Sequence, residues 1–566
     1  MGMYVNKKRV VAVLPKKLKG ILTVKENGTY DVSNYSEAIV SVGDSTIVLE
    51  LPEELQKSLP DYYLAVNSDK LLLSVGSGDT GLWRYVISTK TFTQLYNKGH
   101  KYDTFQQVSE TKWLISSSDS WANGLLLYDS SNDSCVVVHE QGGTWRAKQT
   151  IGTRWLIQSY GVSGFFIFDS KDNTLTQVYN LQSGWYTENI IELSDTLWLM
   201  SPTNGKGLIS FNPVNETITE LYDVGSAWKY SFKVSESKFL LGGSTQNSGI
   251  LLYDKTNNTA KQVFTTGYSW KYFYQVPNGN VLIASLASNT LGILLYNSLD
   301  DTVVQLYASG YYWSNFYTLR NGNVLITSSN SSAANRGVLL YASDNTINKV
   351  YEEGYDWRVR QELDNGNVLL SATNSNSKGI LLYDTSSNIC TQIYASNYEW
   401  VYFYRLSNGS FLISGERYSG GLLLFDVKTN VFTQMSSYYG WTQCVPIDET
   451  RYLLSNTPYT SGVYLYNTES NSFTRIYSNG RSHYFYKLSD TLWVISSSDK
   501  SYRGTFYYDT TTGTARDIFS SIFWGVYKYT TEDNINYYFE SESEYAVVSW
   551  NIETRNSRLI KYVLEV

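Results

Sequence analysis

One short phrase, a glycine followed by three or four apolar residues and then Tyr-Asp or a close variant, returns along the whole chain at a nearly fixed interval. Its clearest copy is Gly379-Ile-Leu-Leu-Tyr-Asp. Others start at Gly81, Gly124, Gly164, Gly207, Gly249, Gly292, Gly337, Gly421, Gly462 and Gly504, with a degraded copy at Tyr545. Successive copies lie 40 to 45 residues apart. A period in this range means stacked copies of one supersecondary unit. It overrides the three or four independent domains that 566 residues would otherwise suggest.

Each unit divides into four short strands. From Trp270 these are Lys271–Val276, Asn280–Ser285, Gly292–Tyr296 and Val303–Tyr307. Asn-Gly turns join the first two, as in Pro277-Asn-Gly-Asn, Arg320-Asn-Gly-Asn, Asp364-Asn-Gly-Asn and Ser407-Asn-Gly. Asp, Asn, Ser and Thr join the last two, as in Asp254-Lys-Thr-Asn-Asn, because these residues tolerate the left-handed backbone of tight turns. Four strands and their connections fill about 42 residues, with no room for a helix. The expected fold is all-β, a β-propeller of twelve four-stranded blades running over 58–566. A single twelve-bladed ring is favoured over two six-bladed ones, because the connection Ala308–Trp313 looks like every other. The blade order is similar to that of YVTN-type propellers, a resemblance that implies a first strand innermost and a fourth outermost.

Composition narrows the function classes. Aromatic residues make up 15% and charged residues 17%, so the surface is largely Ser, Thr, Asn and Tyr. A net charge of −7 over this length argues against nucleic acid as the main partner. No run approaches the ~20 apolar residues of a membrane span, and Val10–Pro15 is too short for a signal-peptide core. Cys135, Cys390 and Cys444 fall in different units without metal-ligand spacing, and read as small strand residues.

A large aromatic recurs just before the first strand: Trp145, Trp185, Trp228, Trp270, Trp313, Trp357, Trp400, Trp441 and Trp524, with Tyr62, Tyr102 and His483 in weaker copies. Two roles fit. Each ring could wedge between neighbouring units, since a large aromatic buries roughly 150–250 Å². Alternatively, the nine tryptophans could form a ring of binding sites at one rim, each offering a flat face to a sugar, with strength gained by multivalency.

Catalytic patterns are missing from the sequence. His100, His139 and His483 lie in separate units, and the Asp that ends each third strand (Asp129, Asp169, Asp254, Asp384, Asp426, Asp509) is what the following turn wants. Glu188, Glu192 and Glu362 could supply a glycosidase pair only at a set separation that sequence does not show. No phosphate loop, zinc spacing or nucleophile elbow occurs. The expectation is a non-enzymatic protein without cofactor or metal.

Residues 1–57 stand apart. Lys7, Lys8, Arg9, Lys16, Lys17 and Lys19 make a basic arm. Asn27-Gly28 then predicts a hairpin, Ala38–Val42 a third strand, and Pro52–Pro60 a short linking helix. The run from Leu22 to Val42, with Glu26-Asn-Gly-Thr-Tyr-Asp-Val at its centre, is similar to a short module found in virion structural proteins of tailed bacteriophages. That resemblance implies a virion appendage of the tail-fibre or receptor-binding kind. Residues 1–57 would dock to other virion proteins, and the repeats would touch the host surface through a glycan. The alternatives are a purely structural decoration or scaffold ring and, less favoured, a polysaccharide-degrading enzyme.

Overall fold

A computed structural model describes residues 19–24, 30–42, 45–50 and 60–75, the strands and hairpin turns between 81 and 519, and the strands between 526 and 562. It leaves out the loops joining second to third strands and parts of those joining successive repeats. The chain divides into two compact units, Met1–Lys271 and Tyr272–Val566, the division falling within the strand Trp270–Gln275.

Among the described residues there is no helix, and each repeat forms one four-stranded antiparallel sheet with its strands in chain order, giving twelve such sheets. In repeat 8 the strands are Trp357–Glu362, Val368–Ala372, Ile380–Asp384 and Ile389–Tyr394. Boundaries expected from sequence for repeat 6 hold to within a residue or two: Trp270–Gln275, Val281–Ser285, Ile293–Asn297 and Thr302–Tyr307. The inserted stretch 329–336 falls between the second and third strands of repeat 7, Val324–Ser328 and Val338–Tyr341.

A thirteenth sheet precedes the repeats. Its strands are β1 (Lys19–Val24), β2 (Tyr30–Val42) and β3 (Ser45–Glu50), paired in that order. The hairpin expected at Asn27-Gly28 is present in its flanks, with Val24 opposite Tyr30. Ala38–Val42 is not a separate strand. Its alternation continues that of Tyr30–Glu37, so one 13-residue strand pairs with β1 through its first half and with Ser45–Glu50 through its second. The expected helix at Pro52–Pro60 lies outside the described residues, except for Pro60, which opens a strand.

The periodic glycine is a steric necessity. Gly379 has φ +100°, and a Cβ there would overlap the carbonyl oxygen of Tyr394 and lie 2.9 Å from its carbon. The register slips at the same place: Ile380 pairs with Tyr394 but Leu381 with Gln392, leaving Ile393 as a bulge. Gly81, Gly249 and Gly337 repeat both the positive φ and the overlap with a fourth-strand carbonyl.

The third-to-fourth turn is built as its residues suggest. The carboxylates of Asp129, Asp169, Asp254, Asp384, Asp426 and Asp509 each accept a hydrogen bond from the backbone N–H two residues on, at 2.8 to 2.9 Å. The residue closing the turn takes the left-handed conformation, as at Asn258 (φ 51°), Asp301 (59°) and Asn388 (57°). A third-strand tyrosine hydroxyl then donates to that side chain: Tyr253 to Asn258 at 2.9 Å, Tyr296 to Asp301 at 2.6 Å, Tyr383 to Asn388 at 2.7 Å.

Successive repeats are joined by three devices. The first is apolar. Leu325, Val338 and Leu340 of repeat 7 pack with Trp357, Val368, Leu370 and Leu381 of repeat 8 in one buried cluster. The second is a hydroxyl that ends the second strand and holds the leading backbone of the next repeat. The N–H of Tyr102, Trp228 and Trp441 donates to Ser74, Ser201 and Ser414 at 2.8, 2.8 and 3.0 Å. Thr327 and Ser371 instead donate to the carbonyls of Trp357 and Trp400. The residue opposite the leading Trp is small in repeats 7 to 9, namely Ser328, Ala372 and Gly415. Repeat 10 places Asn456 there, fully buried, with neither carboxamide atom hydrogen-bonded.

The third device is polar and reaches from one repeat to the outer turn of the next. Lys70 Nζ lies 2.8 Å from the Asp133 carboxylate, Arg84 NH1 also 2.8 Å from it, and the Tyr128 hydroxyl donates to it at 2.9 Å. Burial alone would raise the Asp133 carboxyl, but hydrogen bonds from Lys70 and Tyr128 and the nearby Arg84 and Lys70 charges outweigh it and hold the group below the usual carboxylate range. A depressed folded value means that the stabilisation is complete above the ordinary carboxylate range and is lost as pH falls through the depressed value. Asp133→Asn should therefore lower stability at neutral pH by about 1–2 kcal/mol, discounted for the partial exposure of the group. The gap between variant and parent in Tm should close as pH falls toward about 3. A gap independent of pH would show that the carboxylate charge is not what holds this joint.

Candidate functional site

The leading aromatics are buried. Trp145 is 3% exposed, Trp357 1%, and Trp228, Trp270, Trp313, Trp400 and Trp441 0%. Trp185 and Trp524 lie outside the described residues. Tyr102 (0%) and His483 (1%) take the same place, but in repeat 1 that place, opposite Val75, is held by Pro60, and Tyr62 lies two residues further along, half-buried. The wedge role is thus what the described rings perform. Trp228, Trp270, Trp313, Trp357 and Trp400 pack edge-to-face on the aromatic that ends the preceding fourth strand, as Trp313 on Tyr307 at 5.9 Å and Trp357 on Tyr351 at 5.6 Å, whereas Trp441 packs on Tyr464 and Phe473 of its own repeat. The indole N–H groups of Trp270, Trp357, Trp400 and Trp441 donate to the loop just before, as where Trp357 donates to the Glu353 carbonyl at 2.9 Å. A ring enclosed in this way turns no face outward to a sugar. Sequence left both roles open because a residue at the head of a strand has no alternation partner to fix its side.

The other candidates stay dispersed. Glu192 is ion-paired with Lys148, Glu362 with Arg320 at 2.6 Å, and Glu188 and His100 are outside the described residues. His139 packs against Trp145 and Phe166, with Nδ1 2.9 Å from the Gln141 carbonyl. The three cysteines are free, and burial pushes each thiol up to about 12, so none is a ready nucleophile. No cluster of three or more metal-capable side chains occurs among the described residues.

What the fold does create is a pair of recesses on the face carrying the first hairpin turns. One, between repeats 8 and 9, is an open recess of about 190 Å³, lined by Asp364, Asn365, Arg405, Asn408 and Lys428 over the buried Leu363 and Phe411. The other, between repeats 7 and 8, is an open recess of about 300 Å³ lined by Arg320, Asn321, Asp364, Asn365, Thr385 and Ser386. Both share Asp364 and Asn365, whose turn, closed by Gly366, stands between them as a partition.

The Asn-Gly-Asn sequence shapes this face twice over. Its first Asn caps the turn, with Asn321 and Asn365 accepting the N–H two residues on at 3.1 and 3.0 Å. Its second Asn reaches across to the third-to-fourth turn of the same repeat, Asn367 accepting from the Thr385 N–H at 3.1 Å and Asn280 from Ser298 at 3.1 Å. Two hairpins are thereby held side by side as a fixed rim. Sequence showed the turn but not this second bond, which spans 18 residues. Arg320, Arg405 and Lys428 went unnoticed, although Arg320 and Asp364 head otherwise equivalent turns where repeat 6 has Pro277 and repeat 9 Ser407.

No family model and no curated protein matches the chain. Among solved structures it resembles the extracellular domain of a one-component system from B. thetaiotaomicron, at 11% identity and a TM-score of 0.23, over 97% of this chain and 78% of that one. The extracellular domain of a hybrid two-component system from the same organism gives 12% identity and a TM-score of 0.25, over 88% and 76%. A eukaryotic initiation factor gives 11% and 0.30, over 64% of this chain and 96% of that one. Likenesses at these scores carry no functional argument.

Proposed function

We propose that this chain is a non-enzymatic appendage protein of a tailed-bacteriophage virion, bound to other virion proteins through residues 1–57 and touching the host surface through its repeats. The observation that carries the binding role is that two successive repeat junctions open similar polar recesses in equivalent places, which suits a polymeric ligand better than a single reactive group. The docking role rests on the resemblance of Leu22–Val42, a run that spans the paired strands β1 and β2.

A purely structural ring, binding only other virion proteins, is the second reading. The burial of the leading aromatics favours it, because the most regular feature of the chain is consumed in joining repeats. Pre-incubating host cells with the purified full-length chain separates the two. Under the first reading, the chain saturates its receptor and adsorption of particles falls in proportion. Undiminished adsorption at saturating protein, from particles that an antibody to this chain decorates, would leave the structural ring. Particles that lack the chain altogether would refute both.

A further inference from the structure

Repeat 8 departs from its neighbours in its first strand. Repeats 6 and 9 follow the leading Trp with aromatics, in Trp270-Lys-Tyr-Phe-Tyr-Gln and Trp400-Val-Tyr-Phe-Tyr-Arg, and repeat 7 keeps Phe316-Tyr317. Repeat 8 reads Trp357-Arg-Val-Arg-Gln-Glu. Its backbone differs as well. In repeats 7 and 9 the register slips directly after the Trp, whereas in repeat 8 it slips between Val359 and Gln361, so that Arg360 is the extra residue. A bulge re-aims the side chain it carries. Arg360 Nε donates to Ser371 Oγ at 2.8 Å, the same hydroxyl that holds the Trp400 carbonyl.

The strand then ends at Glu362, which accepts from the Tyr317 hydroxyl at 3.1 Å and pairs with Arg320. Arg320 also donates to the Asp364 carbonyl at 3.4 Å, and Arg405 of repeat 9 pairs with the Asp364 carboxylate. The partition between the two recesses is thus gripped by a guanidinium from each side.

We infer that the two recesses are adjacent subsites for a neutral, hydroxyl-rich glycan, one sugar unit on either side of the Asp364–Gly366 turn. This deepens the proposed binding role and rests on it. Charge balance selects the ligand class. Arg320, Arg405 and Lys428 are met by Glu362, Asp364 and Asp426, and both arginines are already paired. A phosphate or uronate chain would need cations left unmatched. A guanidinium beside a carboxylate instead offers donors and acceptors together, which neighbouring sugar hydroxyls can bridge. Thr385 and Ser386 add hydroxyls on one side, and Asn408 adds a carboxamide on the other, above the buried Leu363 and Phe411.

The test titrates the full-length chain with short neutral oligosaccharides of glucose, galactose, mannose, rhamnose and N-acetylglucosamine, with polygalacturonate and poly(glycerol phosphate) as anionic comparators. A neutral member should bind with little dependence on salt. The double substitution Arg320→Ala/Arg405→Ala should weaken it about tenfold or more. Ser386→Tyr, which fills one recess from an exposed position without breaking an ion pair, should do the same at unchanged Tm. Binding of the anionic polymers alone, no binding at all, or neutral binding that survives both changes would overturn the assignment. If both variants block particle adsorption as well as the parent does, the appendage role stands and this site falls. If the variants lose glycan while the parent fails to block adsorption, the site stands and the appendage role falls.

Discussion

Trp357→Ala should destabilise its part of the chain by about 3–5 kcal/mol, the usual loss for a large aromatic removed from a closed core. The ring is 1% exposed, sits among Leu325, Val338 and Leu340 of one repeat and Val368 and Leu370 of the next, and stacks edge-to-face on Tyr351. Removing it empties the joint between two sheets without shortening any strand, so hydrogen exchange should quicken in repeats 7 and 8 before it does elsewhere. Arg358→Ala, at the next residue but exposed, provides the control and should stay within about 0.5 kcal/mol. A Trp357→Ala protein with unchanged Tm and exchange would mean that the ring does not hold the repeats together.

Gly379→Ala should be nearly as damaging, by about 3 kcal/mol or more, although it adds a single methyl group. Two penalties coincide. The residue must hold φ +100°, which costs a non-glycine residue about 1–3 kcal/mol, and its new Cβ would overlap a backbone oxygen engaged in the sheet. Gly409→Ala isolates the first penalty, because its φ is +86° yet nothing lies within 4 Å of the added atom. Chemical denaturation of the two variants should therefore differ by about 2 kcal/mol. Equal losses would show that the close approach to Tyr394 relaxes freely.

These two residues mark what could be read from the chain without coordinates. Gly379 and Trp357 announced the repeat because steric closeness and bulk leave few substitutes, and such constraints recur wherever the unit recurs. The Asp-ended third strand was equally legible, since the bond it makes reaches only two residues along. Legibility failed where contacts bridge distance. Whether Trp357 faces core or solvent depends on Leu325 and Leu340, in the preceding repeat. The long strand Tyr30–Val42 was broken too early because Asn34 and Ser36 stand at two positions in phase with Tyr30, Val32, Ala38, Val40 and Val42, and hide an alternation that runs through them. The recesses were invisible for the same reason, as Arg320, Asp364 and Arg405 meet only after some 40 residues have been folded between each pair. The displaced bulge at Arg360 leaves no mark in the local sequence except the loss of aromatics.

Among the described residues, the serines, lysines and tryptophans that join repeats reach one repeat along, as Lys70 to Asp133 and Ser371 to Trp400. Under tension, such a chain behaves as rungs in series rather than as a single knot. Pulled from its ends, it should give way one rung at a time, each event freeing about 42 residues and lengthening the tether by roughly 140–150 Å. The order of failure would follow the quality of each joint. The place where Asn456 is shut in without a partner, at a loss of roughly 1–3 kcal/mol, is a natural first point of yielding. Load on such a chain would be shed in steps, while most of its rungs, and the recesses between them, stay closed.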